Sequence, residues 1–307
     1  MSAAGLFVGA SELNLMQVVK SLLYGGEFDF IVNQYRLPRI FLAIGVGAGL
    51  GISGVLVQGI IRNPLASPDL MGISAGAGFV ATALLVYQPG VPLYLLSISA
   101  MSGGLIVGIL IILIAKINQP TPARLALVGI SVSVFISSGI DLLLIIHPVE
   151  INTAMVWLTG SLWGRNWQHV PFIWWSLIVL VLPALWLAWR LDIMGLGKES
   201  AEVLGIQPAK VQVLALIIAI LLASISVSIC GTISFVGLLA PHMARLLFGH
   251  SHRFLLPAAA FLGALLVLVA DILARGIQPP IELPVGIITS LIGAPYFIFL
   301  LHRYKGW

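Results

Sequence analysis

Three hydrophilic features interrupt an otherwise apolar sequence, and each carries its own chemistry. Tyr35-Arg36-Leu37-Pro38-Arg39 places two guanidiniums about one turn apart at the head of an apolar run, and Arg275 closes another run. Fixed guanidiniums match carboxylates on a soluble partner through forked hydrogen bonds. The plainer role for arginine at a span end is to snorkel toward the interface. The second feature is Leu191 to Lys210, LDIMGLGKESAEVLGIQPAK, in which Gly195, Gly197, Gly205 and Pro208 divide one or two short helices. A structureless connector of that length is unusual. A short helix lying across the membrane face suits a groove in a cytoplasmic protein, or it touches only lipid.

The third feature comes twice. Ser53 to Gly78 gathers prolines, glycines and Asn63 where helices meet a loop, and Cys230 to Gly249 repeats the pattern with a proline followed by His and Arg. Broken helices are tolerated at membrane depth only when buried or lining a cavity. Asn63 and Pro64 in the first patch, with Phe235 and Pro241 in the second, are therefore candidate pore or gate residues. Gly45, Gly47, Gly49 and Gly51 just upstream provide overlapping small-residue pairs for close helix packing. The likeness of the two patches hints at an internal repeat.

Other motifs are decoys. Gly72-Ile73-Ser74-Ala75-Gly76 has the spacing of a nucleophile elbow, with His242 and Asp271 to complete a triad on paper, but it opens an apolar helix and follows no strand. Gly195-Leu196-Gly197-Lys198 resembles a phosphate loop, yet Glu199 stands where Ser or Thr is required. No catalytic residue and no ATP hydrolysis are expected of this chain. His242, His250 and His252 lack clustered thiolates or carboxylates, so no metal site is expected.

The elements that position these residues are set by composition. Of 307 residues 60% are hydrophobic and 8% charged, with a mean hydropathy of +1.10. Soluble domains carry about 25% charged residues, so most of this exterior faces lipid. One cysteine, Cys230, excludes an internal disulfide. Basic residues scattered singly between apolar runs suit a membrane surface and exclude a nucleic-acid groove. A spanning helix needs about 20 apolar residues. Nine segments qualify, near 39–60, 70–88, 93–115, 125–146, 171–189, 211–230, 233–248, 255–274 and 285–302, while residues 1–35 read as non-spanning. The fold class is all-α and polytopic, one transmembrane domain over residues 1–307. Ten of the 15 Lys and Arg residues fall in one set of alternate loops with the C-terminal tail, which is therefore cytoplasmic. Arg36 and Arg39 then face the periplasm, and an odd span count leaves the visible N-terminus outside.

By these residues the chain resembles the permease subunits of ABC importers for iron–siderophores, haem and vitamin B12. The strings are Arg36-Leu-Pro-Arg39, Gln58 to Ala66, Trp157-Leu-Thr-Gly-Ser-Leu162, Leu204-Gly205, Gly231 to His242, Glu282 to Gly286 and Gly293-Ala-Pro295. Tyr35-Arg36-Leu37-Pro38-Arg39, RNPLASPDLMG, WLTGSLWGRNW and QPPIELPVG look nearest the ferric dicitrate permeases. The resemblance implies a type II importer fold of ten helices. It also implies a pore of two permeases, two cytoplasmic ATPases that hold the ATP and Mg²⁺, a periplasmic binding protein, and a bacterial inner membrane. This chain itself would bind no cofactor. Arg36, Arg39 and Arg275 would meet acidic residues of the binding protein. Gly197, Glu199, Ala201, Glu202, Leu204 and Gly205 would form the ATPase coupling segment, and Ser161 joins the pore candidates. The family has a span before the segment matching Gly9-Ala10-Ser11-Glu12. The sequence begins too late to hold it, so the expectation is a truncated or misassigned start.

A chelate of this size cannot cross a packed bundle, so two helix arrangements must alternate, biased by nucleotide through a rigid coupling contact. With few charges in the pore, selectivity should sit mainly with the binding protein. An ion-driven secondary transporter predicts carboxylates deep in spans, and the sequence offers none. A membrane enzyme predicts a convergent polar triad. A homodimeric haem or vitamin B12 permease of the same family is the other alternative.

Overall fold

A computed structural model describes residues 4–7, 13–116, 121–149 and 151–303. The segment Gly9–Glu12, matched to the family above, lies outside the described residues. The described residues form twelve α-helices: α1 (Leu15–Tyr24), α2 (Leu37–Ile61), α3 (Ile73–Tyr87), α4 (Leu93–Lys116), α5 (Pro122–Ile146), α6 (Ile151–Leu158), α7 (Val170–Met194), α8 (Lys198–Val203), α9 (Pro208–Cys230), α10 (Val236–Phe248), α11 (His252–Gly276) and α12 (Val285–Arg303). Each of the nine expected spans falls on one of these helices.

Among the described residues, six helical segments are long and apolar enough to cross a membrane, while α3, α10 and α12 are shorter. The first span starts earlier than expected. A π-helical stretch, Phe30–Arg36, runs directly into α2, so the apolar helix extends over Phe30–Ile61. Its polar residues are absorbed by packing: Asn33 donates to the Ser21 carbonyl at 2.9 Å, and Trp167 Nε1 donates to the Asn33 carbonyl at 2.6 Å.

Helix α2 threads the centre, buried along almost its whole length. Its glycines explain how. A methyl group on Gly47 would lie 2.2 Å from the Gly263 carbonyl oxygen of α11, one on Gly51 2.2 Å from that of Ala259, and one on Gly54 2.0 Å from that of Gly237 in α10. Backbones this close leave no room for a side chain, and dispersion contacts replace the hydrophobic drive that lipid cannot supply.

The repeat hinted at by the two irregular patches is visible in element order. α2 to α5 run 25, 15, 24 and 25 residues, and α9 to α12 run 23, 13, 25 and 19. In each set the second helix is the shortest, reached through a break in the α-helical chain: residues 62–72, with a 3-10 turn over Pro68–Met71, before α3, and 231–235 before α10.

Candidate functional site: the outer ion cluster, the helix break and the cytoplasmic segment

The three arginines expected to meet a partner are buried within this chain and paired with its own groups. Arg36, Arg39 and Arg275 are 2%, 1% and 1% exposed. Arg39 Nε donates to Asp271 Oδ1 at 2.6 Å, and its Nη1 donates to Glu282 Oε2 at 2.6 Å. Arg275 Nη2 lies 3.0 Å from Asp271 Oδ2. The Tyr35 hydroxyl donates to Glu282 Oε1 at 2.7 Å, and Arg36 Nη1 donates to the Leu6 carbonyl at 2.6 Å. The cluster ties the head of α2 to the tail of α11 and to the loop before α12. Asp271 is fully buried, and two guanidiniums supply the charge balance that water would otherwise give.

The pore candidates separate into two groups. Ser161 and Phe235 lie about the 231–235 break, where the loop after α6 and α12 interlock with it. The Ser161 N–H donates to the Cys230 carbonyl at 2.7 Å, and the Gly286 N–H donates to that of Gly160 at 3.1 Å. Gly231 has φ +75°, and a Cβ there would sit 2.1 Å from the Trp157 carbonyl oxygen, so only glycine fits. Phe235 adopts φ +69°, a conformation disfavoured for a bulky residue. Gly293 of α12 makes room for it: a Cβ at Gly293 would lie 2.6 Å from that of Phe235. Beside this knot lies a cavity of roughly 520 Å³ lined by Thr159, Thr232, Ser234, Ser290 and Leu291, among others.

Asn63 and Pro64 lie just past the C-terminal end of α2, on a cavity of roughly 560 Å³ whose lining includes Arg62, Asp192, His242, Arg245 and His252. Asn63 Oδ1 accepts the Leu65 N–H at 2.9 Å, capping the turn. Pro241 is in neither cavity's lining; it packs beneath Gly54 inside α10.

The segment 191–210 forms one short helix, α8, between two glycines with positive φ, Gly197 (+112°) and Gly205 (+78°). Glu199 and Glu202 are exposed, and Leu196, Val203 and Leu204 leave more than half of their surface open. Ala201 is fully buried and serves as the anchor that holds α8 to the body. Nearby, Asp192 joins the end of α7 to the start of α11, accepting from the Ser251 hydroxyl at 2.9 Å and the His252 N–H at 2.8 Å.

Two residues escaped the sequence reading. Asp69, in the break before α3, accepts from the Ser74 hydroxyl at 2.5 Å. It sits partly buried in the 3-10 turn between α2 and α3. The same bond and the Arg39–Asp271 pair leave Ser74 and Asp271 with separate partners, so the paper triad does not form. Arg165, in the loop after α6, is buried at 6% exposure. Among the described residues no group of three potential metal ligands occurs.

Comparison with known proteins places this geometry. The Fe(3+)-citrate import system permease protein YfmE of Bacillus subtilis is 44% identical over 303 residues, covering 98% of this chain and 91% of the relative. The Fe(3+) dicitrate transport system permease protein FecD of Escherichia coli is 45% identical over 282 residues, covering 92% and 88%. A solved inward-facing metal-chelate type ABC transporter superposes with a TM-score of 0.88 at 32% identity, covering 99% of this chain and 96% of that one. The profile of the FecCD transport family matches residues 1–303. The chain therefore belongs to the FecCD transport family and has the helical membrane fold of an ABC transporter permease.

Proposed function

We propose that this protein is the pore-forming permease subunit of an ATP-driven importer that moves a ferric chelate of the citrate type across a bacterial inner membrane. One observation carries the substrate class: two relatives named for Fe(3+)-citrate import match over nine-tenths of the chain or more at 44–45% identity. A second permease completes the pore, and separate ATPase subunits bind ATP and Mg²⁺ and hydrolyse the nucleotide. The exposed apolar residues around α8, with Glu199 and Glu202, form the ATPase contact. A periplasmic binding protein docks on the outer end that carries Arg36, Arg39 and Arg275. Since the chain engages those guanidiniums internally, docking through them requires part of the ion cluster to open.

The test is reconstitution in proteoliposomes with a partner permease, the ATPase and the binding protein. ATP-dependent uptake of radiolabelled ferric dicitrate, with little uptake of a ferric hydroxamate, is the expected result. ATP-independent uptake that follows an ion gradient would sink the proposal.

A further inference from the structure

Two cavities follow one another along α2, α7 and α11, and the chemistry changes between them. The first is an apolar groove of roughly 500 Å³ between α7 and α11, with Ala48 and Ile52 of α2 in its lining. Its rim is open, for Ile178, Leu182 and Leu185 of α7 are all exposed. The second is the cavity of roughly 560 Å³ past the end of α2. Leu256 of the groove adjoins Leu255 of the cavity on α11, while on α7 about 9 Å of helix separates Leu185 from Leu191. Trp186 and Trp189 lie on that intervening turn, both exposed, and Arg190 stacks over the Trp186 ring at 3.4 Å. Exposed tryptophans gather where hydrocarbon meets headgroups. The groove therefore lies on the hydrocarbon side of that boundary and the cavity on the headgroup side.

The cavity is cationic. Its lining sets Arg62, Arg245, His242, His250 and His252 against one carboxylate, Asp192. That carboxylate is already engaged, with His252 Nδ1 at 2.6 Å and the Ser251 hydroxyl at 2.9 Å. Arg62 is held in place: its Nη2 donates to the Met194 carbonyl at 2.7 Å, and its φ of +53° is uncommon for any residue but glycine. Arg245 Nη2 donates to Gln58 Oε1 at 2.8 Å. Both bonds go to neutral oxygens, which orient a guanidinium without cancelling its charge. His242 buries its Nε2 in the same lining with no hydrogen-bond partner among the described residues. Buried polar nitrogens are nearly always paired, and a phosphate oxygen would complete this one.

We propose that groove and cavity together bind one anionic phospholipid of the cytoplasmic leaflet, its phosphate held by Arg62, Arg245 and His242 and an acyl chain lying between α7 and α11. The side follows from the distribution of Lys and Arg. Basic pockets between spans on that side suit such headgroups. The charge of the cavity selects the headgroup, and the groove at hydrocarbon depth selects a chain-bearing ligand over free phosphate. A lipid seated there joins the ends of α2, α7, α10 and α11. None of this depends on what cargo the protein carries.

The test titrates the full chain, purified and delipidated in a nonionic detergent, with phosphatidylglycerol or phosphatidylethanolamine of identical chains. Native mass spectrometry reads the occupancy. Phosphatidylglycerol should bind at least about fivefold more tightly, the effect of one arginine near an anionic surface. That ratio should decline as ionic strength rises. Arg62→Gln combined with Arg245→Gln should bring the ratio to about one while phosphatidylethanolamine binding holds. Arg253→Gln, exposed and outside the lining, should leave the ratio as it is. Ala260→Phe, which fills the groove, should weaken both lipids about fivefold or more and keep the ratio. Glycerol phosphate in large excess should not displace the lipid; displacement would identify a free-phosphate site and overturn the inference. A parent ratio of one overturns it as well, and that measurement serves if the arginine variants do not fold. So does a ratio that the paired arginine change leaves untouched. Disulfide-linked dimers of Ile178→Cys would give the groove to a second copy of the chain, and that too overturns it.

Discussion

The Arg39 guanidinium and the Asp271 carboxylate meet at 2.6 Å with both side chains closed off from solvent, and Arg275 approaches the other carboxylate oxygen at 3.0 Å. The pair joins α2 to α11 at their outer ends, 232 residues apart in sequence. Removing one member strands the others. Asp271→Ala should cost about 3–5 kcal/mol, the usual penalty for leaving a buried charge unpaired. Tyr35→Phe removes the hydroxyl that donates to Glu282 and accepts from Arg39 Nη1 at 3.2 Å, leaves every charge paired, and should cost only about 1–2 kcal/mol. Thermal unfolding of purified protein in detergent should rank them so. Equal midpoints for the two variants would contradict the ion cluster as a structural tie.

Gly205 tests the cytoplasmic segment. A Cβ there meets nothing within 4 Å, so Gly205→Val is strained by its φ of +78° alone. The variant should insert normally and lose about tenfold or more in ATP-driven uptake while the ATPase still turns over. Glu202→Lys, on the exposed side of α8, should behave alike. Unchanged uptake per ATP in both would remove α8 from the coupling contact.

The α2 crossings predict a steep steric series. Gly47→Ala and Gly54→Ala both drive a methyl into a backbone carbonyl and should each cost at least about 2 kcal/mol, as overpacking does. Gly90→Ala, with open space around it and only a φ of +85° against it, should cost about 1 kcal/mol. Midpoints of denaturation measured in one detergent settle the order.

His169 lies in the loop before α7, outside the spans, and its pKa is lowered by burial and by the neighbouring Arg165. The unfolded chain therefore binds a proton there more readily than the folded one. Stability rises with pH through this group and is lost as pH falls below about 6.5, its unperturbed value. His169→Gln should flatten the dependence of the unfolding midpoint between roughly pH 5 and 7. A slope identical to the parent's would show that His169 does not titrate across unfolding.

Much of the molecule was legible because lipid constrains sequence strongly. Composition demanded a membrane exterior, run length placed nine helices, and the Gly-Pro patches marked both breaks. The glycines at 45, 47, 49 and 51 announced close helix packing, and Gly47 and Gly51 do meet the backbone of α11. The candidate site was less legible. Arg36, Arg39 and Arg275 could be read as surface cations because a one-dimensional pattern shows where a charge lies along a helix, not what stands opposite it. Burial and the Asp271 contact arise from α2 lying against α11, a long-range pairing no local spacing encodes. The same holds at the break, where Ser161, Cys230, Phe235, Gly286 and Gly293 come from distant segments. Residue type set what each could do, and tertiary packing alone decided which of them meet, because only the folded bundle fixes the low-dielectric surroundings in which a charge or a hydroxyl must find a partner.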